Sequence, residues 1–177
     1  FELGDGARRG TLSTSSCGVC GREQITDLLK RLHPPSVRHS FTPAQLRDAL
    51  ERLSDQQSLF AQTGSIHGAA LFDSSLTLLA LDEDVGRHNA IDKVVGRCLL
   101  DGNLAQARLL ALSGRVSFEV VQKAAAAGVS TIVTRKGLTS MAVDLAKAAS
   151  ITVCAFVRGS RSSTYGHDGK LGETNIE

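Results

Sequence analysis

Three short runs in the second half of the chain, "LLAL" at 109–112, "TIVT" at 131–134 and "ITVCAFV" at 151–157, are apolar almost without a break. A strand with one wet face alternates apolar and polar residues; an unbroken apolar strand needs cover on both faces. Between the runs lie "SFEVVQKAAAAG" and "SMAVDLAKAA", whose apolar residues recur at helical spacing, the first stopping at Gly128. Strands alternating with helices imply crossover connections. The expectation is an α/β three-layer sandwich, a mostly parallel sheet with helices on both faces.

Upstream, "SIHGAALF" and "LTLLALDED" flank Asp73-Ser74-Ser75 and read as a hairpin. A helix follows with Ile91, Val94, Val95, Cys98 and Leu99 on its apolar side. Further upstream, Ile25, Leu28, Leu29 and Leu32 mark one helix, ended by Pro34-Pro35. Thr42-Pro43 opens another, with Thr as N-cap, Pro at the first helical position and Leu46, Ala49, Leu50 and Leu53 as its buried stripe. A short third helix is expected from Ser58 to Ala61. These boundaries divide the 177 residues into a Cys-x-x-Cys loop with a helical segment (1–62), an α/β body (63–165) and a polar, frayed tail (166–177). The chain begins at Phe1, so a processed or cut N-terminus is expected.

A net charge of +2, no Trp and a single Tyr argue against a nucleic-acid partner, which needs a strong basic surface or stacking platforms. No apolar run approaches the roughly 20 residues that cross a bilayer, so no membrane partner is expected. Four cysteines in this length do not make a disulfide-stapled scaffold. The expected setting is a reducing cytoplasm.

In parallel βα units the residues just after each strand gather on one edge of the sheet, where ligands bind. Here those tips are Ser113-Gly114-Arg115, Thr134-Arg135-Lys136-Gly137 and Arg158-Gly159-Ser160-Arg161. Each carries a cation and a Gly, and the first two open helices whose free N–H groups favour anions. Arg115, Arg135, Lys136, Arg158 and Arg161 are therefore candidates to hold a phosphorylated ligand, with Gly114 and Gly159 allowing close backbone approach. No G-x-G-x-x-G and no Walker lysine motif occurs. The segment "EDVGRHN" at 83–89 sits at the junction of hairpin and helix. Asp84 or Asn89 there would suit a helix cap. Arg87 and His88 are expected to complete the pocket.

Cys17 and Cys20, in "SSCGVCG" at 15–21, admit three chemistries. Structural zinc needs four ligands, and this is one close pair; Cys98 and Cys154 lie in apolar patterns and His67 in a strand. A redox dithiol prefers a rigid strand-to-helix junction, whereas this flank is rich in Gly and Ser. Sulfur transfer needs an exposed thiol of low pKa, which Arg22 and the following helix N-terminus would promote. A second thiol then helps to pass on or release the sulfur.

The stretches 13–21, "TGSIHGAALFD" (63–73), "DEDVGRHNAIDKVVG" (82–96), "SGRVSFEVVQKAAAAGV" (113–129) and "FVRGSR" (156–161) resemble, in order, the FdhD family of formate dehydrogenase accessory sulfurtransferases. The resemblance implies a body similar to the cytidine-deaminase fold, a homodimer, and an upstream, mainly β region, this chain being the C-terminal portion. It implies a sulfur carrier that accepts persulfide sulfur from a cysteine desulfurase. The sulfur then goes to the molybdenum cofactor, bis-molybdopterin guanine dinucleotide, before insertion into formate dehydrogenase. Cys17 is the implied persulfide carrier and Cys20 its partner. Phe156, Val157, Arg158, Gly159, Ser160 and Arg161 are the implied cofactor contacts, and no protein-ligated metal is expected. The alternative is a chaperone that binds the cofactor without chemistry. Zinc deamination needs H-x-E followed by P-C-x-x-C. Here Cys17 and Cys20 precede His67, and residue 69 is Ala, so deamination is rejected.

Overall fold

The fold comes from a computed structural model, which describes residues 35–159, 161–166 and 173–175. Cys17, Cys20, Ser160 and the helix expected around residues 25–32 lie outside the described residues. In chain order the elements are α1 (Pro43–Asp55), α2 (Ser58–Thr63), β1 (His67–Phe72), β2 (Leu78–Asp84), α3 (Arg87–Leu100), a 3-10 turn (Leu104–Gln106), β3 (Leu109–Leu112), α4 (Phe118–Ala126), β4 (Thr131–Thr134), α5 (Ser140–Ala148), β5 (Thr152–Arg158), β6 (Arg161–Gly166) and β7 (Glu173–Asn175).

The strands form one sheet in the order β2-β1-β3-β4-β5-β6-β7. Only β3–β4 and β4–β5 run parallel; β1–β2, β1–β3, β5–β6 and β6–β7 are antiparallel. The sheet is therefore mixed, and the expectation of a mostly parallel sheet is corrected. The central parallel strands are the unbroken apolar runs. The departures are the four antiparallel pairings, two of which involve β6, "RSSTYG", whose polar sequence gives no buried-strand signal. Within the tail expected to be frayed, residues 173–175 form β7, which pairs Glu173 with Ser163 and Asn175 with Arg161.

Helices cover both faces, as the continuous apolar strands require. On one face Leu46, Ala49, Leu50 and Leu53 of α1 pack with Ala70, Phe72, Leu109, Ala111, Val133, Cys154 and Val157. The alternate residues Leu71, Leu110, Ile132 and Val153 point the other way and are buried. On that side α3 packs on β1 and β2, α5 packs on β5 and β6, and α4 lies between α3 and α5. Ile91, Val94 and Cys98 of α3 are fully buried, but Leu99 is 66% exposed. One residue past Cys98 is a turn of about 100°, which carries Leu99 out of the stripe and corrects its expected place on the apolar side.

Local signals explain several element ends. Thr42 and Gln45 form a capping box at α1: the Gln45 N–H donates to Thr42 Oγ1 at 3.3 Å and the Thr42 N–H to Gln45 Oε1 at 2.8 Å. Asp73 Oδ1 accepts from the N–H groups of Ser75 and Thr77, both at 2.8 Å, and shapes the β1–β2 turn. Gly128, just past α4, adopts φ +74°, the left-handed conformation that stops a helix without a side-chain clash.

Candidate functional site

Because β3, β4 and β5 are parallel, their C-terminal ends meet on one edge. Buried Thr134 ties the first two tips together. Its hydroxyl donates to the Gly114 carbonyl at 2.8 Å and accepts from the Lys136 N–H at 3.0 Å. Beyond the strands the tips pair again, Val116 N–H to the Gly137 carbonyl at 3.0 Å and Thr139 N–H to the Val116 carbonyl at 3.1 Å.

Beside these tips lies a cavity of about 430 Å³. Ser113, Arg135 and Lys136 form its cationic side, and His67 contributes from the start of β1. Leu50, Leu53 and Ser54 of α1, with Gln57 and Phe60 of the α2 region, form the opposite wall. Among the described residues the Arg135 and Lys136 side chains have no partner, and both residues are exposed. An anionic ligand thus meets two cations that need not leave an ion pair to bind it. The Ser113 hydroxyl accepts from the Gly68 N–H at 2.8 Å, which locks the β3 tip against β1.

Arg87, at the first position of α3, approaches the same tip. A Cβ on Gly114 would sit 3.3 Å from Arg87 Cβ and Cδ and 3.4 Å from His67 Nδ1. Gly114 therefore lets the Arg87 stem and the His67 ring close over the strand end. Among the described residues Arg87 Nε is buried with no hydrogen-bond partner, an orphaned donor of the kind that an incoming anion satisfies. His88, by contrast, turns to the start of α4, with Nε2 3.1 Å from both Ser117 Oγ and Glu119 Oε2. Burial holds its pKa below the usual 6.5, outweighing the attraction of Glu119. It does not line the cavity.

The acidic part of "EDVGRHN" is structural. Asp84 accepts from the Gly86 N–H at 2.9 Å and from Asn89 Nδ2 at 3.0 Å, and pairs with Lys93 at 2.9 Å. The Gly86 N–H foremost, then Lys93 and Asn89, lower its pKa from 3.8 to about 2. Neither Asp84 nor Asn89 caps α3 through its side chain, as the sequence suggested; Gly86 is the N-cap residue.

The third tip lies apart from the cavity. Gly159 and Arg161 flank a shallow groove with Pro43 and Arg47 at the start of α1, and Arg47 Nη1 donates to the Gly159 carbonyl at 3.3 Å. Val157 is buried against α1. Phe156 stands in a register shift of β5, at φ +56° and 46% exposed, with its N–H bonded to the Lys136 carbonyl at 3.1 Å. Its ring lies over Gly137, where a Cβ would come within 2.9 Å of Cζ. Arg115 and Arg158 are exposed and line neither the cavity nor the groove. The structure thus brings Ser113, Arg135 and Lys136 into one cavity with Gly114 and Arg87 beside it, and leaves Arg158, Gly159 and Arg161 on a neighbouring hairpin. Gln57 and Phe60 are among the lining residues that sequence reasoning missed: α2 buries no residue and so shows no apolar stripe.

Known proteins share this chain's pattern. The FdhD/NarQ family matches residues 3–172. "Sulfur carrier protein FdhD" of Anaeromyxobacter dehalogenans (strain 2CP-1) is 44% identical over 174 residues, covering 94% of this chain and 60% of the relative. Its counterpart in Thermoplasma acidophilum is 39% identical over 160 residues, 90% of this chain and 57% of the relative. A solved structure described as a formate dehydrogenase accessory protein from Desulfotalea psychrophila superposes with a TM-score of 0.70 at 28% identity, covering 79% of this chain and 59% of that one. The chain spans about 60% of the length of the curated relatives it matches. With a family match over nearly its whole length, the chain belongs to the FdhD/NarQ family.

Proposed function

We propose that this chain carries sulfur for maturation of a molybdenum-dependent formate dehydrogenase, working in the cytoplasm as a homodimer. In this reading Cys17 attacks the outer sulfur of a cysteine desulfurase persulfide. A new S–S bond forms on Cys17 and the desulfurase thiolate leaves. Cys20 assists release. The acceptor, bis-molybdopterin guanine dinucleotide with its molybdenum, is bound as substrate through its pyrophosphates. The observation that carries this reading is the cavity at the β3 and β4 tips, where among the described residues Arg135 and Lys136 stand free of ion pairs, with the unsatisfied buried donor Arg87 Nε beside it. That donor set suits pyrophosphate, and the naming of the relatives as sulfur carriers supports the cargo. Phe156, Arg158, Gly159 and Arg161 extend the same binding edge, and Arg115 adds charge beside it; Ser160, outside the described residues, joins them in this reading by its place in the sequence. The likeness of the body to the cytidine-deaminase fold belongs to the same reading.

The test is to incubate the protein with a cysteine desulfurase and sulfur-labelled cysteine, then map the label. Reductant-sensitive label on Cys17, lost in Cys17→Ala, is the expected result. Label that persists unchanged in that variant removes Cys17 from its role. If the Cys17→Ala and Cys20→Ala variants still support formate dehydrogenase maturation, the chain is instead a cofactor-binding chaperone without sulfur chemistry.

A further inference from the structure

We infer that Glu83 is a positioning residue, clamping helix α2 in place as one wall of the ligand cavity. The inference rests on the reading of that cavity as the ligand site. The first amides of any helix lack intrahelical partners, and in α2 the N-cap residue, Gln57, makes no side-chain capping bond. The partner comes from across the fold. Glu83 Oε2 accepts from the Leu59 N–H at 2.8 Å, and Oε1 accepts from the Phe60 N–H at 2.9 Å. Gln57 Nε2 reaches Oε1 at 3.5 Å. One carboxylate on β2 thus meets both first-turn amides and faces the positive end of the helix.

Among the described residues little else holds α2 there. It buries no residue of its own, so apolar packing does not fix it, whereas Glu83 is only 7% exposed. A buried carboxylate needs these donors as much as the helix needs an acceptor. Gln57 completes the clamp. It is 6% exposed and lies against Gly68, where a Cβ would come within 2.7 Å of its Cδ and Nε2. Gly68 therefore gives Gln57 the space to stand between Glu83 and the cavity. Since Gln57 and Phe60 line that cavity, the position of its wall is set by Glu83, a residue that does not line it.

Amide hydrogen exchange on the full chain tests the clamp without any variant. Leu59 and Phe60 are expected to exchange at least roughly tenfold more slowly than in an unstructured peptide; exchange at the free rate overturns the proposal. In Glu83→Gln one acceptor oxygen becomes a donor facing a donor. Exchange at both amides then accelerates and guanosine diphosphate binds roughly tenfold more weakly. Adding Gln57→Asp supplies a capping carboxylate at the N-cap of α2 and is expected to restore slow exchange. Fast exchange that the second substitution does not rescue contradicts the capping role. Fast exchange with unchanged guanosine diphosphate affinity shows that α2 is not a wall of the ligand site, and the positioning role falls. If the unaltered protein binds no guanosine diphosphate, the reading of the cavity fails, while the exchange rates still decide the clamp.

Discussion

Phe156 carries the backbone strain closest to the ligand edge. A bulky residue at φ +56° is held there at a cost of about 1–3 kcal/mol, and this one is half exposed, so burial does not offset it. Strain kept at an exposed aromatic beside Arg135 and Lys136 points to a binding role. Phe156→Gly is expected to leave thermal stability unchanged or slightly higher while weakening guanosine diphosphate binding severalfold. Titration calorimetry and a melting curve on the same sample check both halves; a variant that loses stability and keeps affinity contradicts the argument. Two other residues contribute to the pH dependence of stability on the acid side. Asp84 has its pKa lowered from 3.8 to about 2, so its contribution is complete above pH 3.8 and is lost as the pH falls to about 2. His88 has a pKa depressed mainly by burial. The folded state then favours its neutral ring, and stability declines as the pH falls below 6.5. Urea midpoints measured against pH are expected to lose the acid step in Asp84→Asn and the step below neutrality in His88→Gln. A profile identical to wild type in either variant refutes that assignment.

Among the elements, α1 has the widest structural reach. Its capping box starts it, its apolar stripe covers the α1 face of the sheet, Arg47 touches the 158–161 hairpin and Leu53 and Ser54 line the cavity. Thr42→Ala removes the cap and is expected to cost about 1 kcal/mol, read as a lower urea midpoint at unchanged slope. A change in slope without a shift in midpoint would place the effect in the unfolded state instead. The helix was legible because Thr42-Pro43 and the spacing of Leu46, Leu50 and Leu53 are local signals. The parallel strands were legible for the same reason: LLAL is apolar throughout, and TIVT is uncharged with an apolar centre at Ile132 and Val133. Strand β6 was not, because residues 161–166 are almost all polar and the strand exists through pairing with β5. Helix α2 was visible as a short element, but the Glu83 contacts that hold it join residues more than twenty positions apart. Spacing along a chain carries no trace of such a contact.

At the scale of the whole molecule, the basic edge divides into two parts that sequence order alone could not separate. All three tips follow strands and all three carry cations. Only the register and the placement of α1 show that Arg135 and Lys136 face a cavity, while Arg158 and Arg161 stand on a hairpin bound to the other end of that helix. This division makes a quantitative difference. A charge-assisted hydrogen bond contributes about 1.5–3 kcal/mol, so Arg135→Ala is expected to weaken guanosine diphosphate roughly tenfold or more if the phosphates enter the cavity. Arg158→Ala, on an exposed hairpin end, then acts only through screened charge, with an effect of twofold or so that fades as salt is raised past about 0.15 M. The reverse ranking, a large and salt-insensitive loss for Arg158→Ala beside a small one for Arg135→Ala, would move the phosphates to the hairpin and leave the cavity to another part of the ligand. The two variants, titrated at two salt concentrations, therefore locate the anionic end of the ligand.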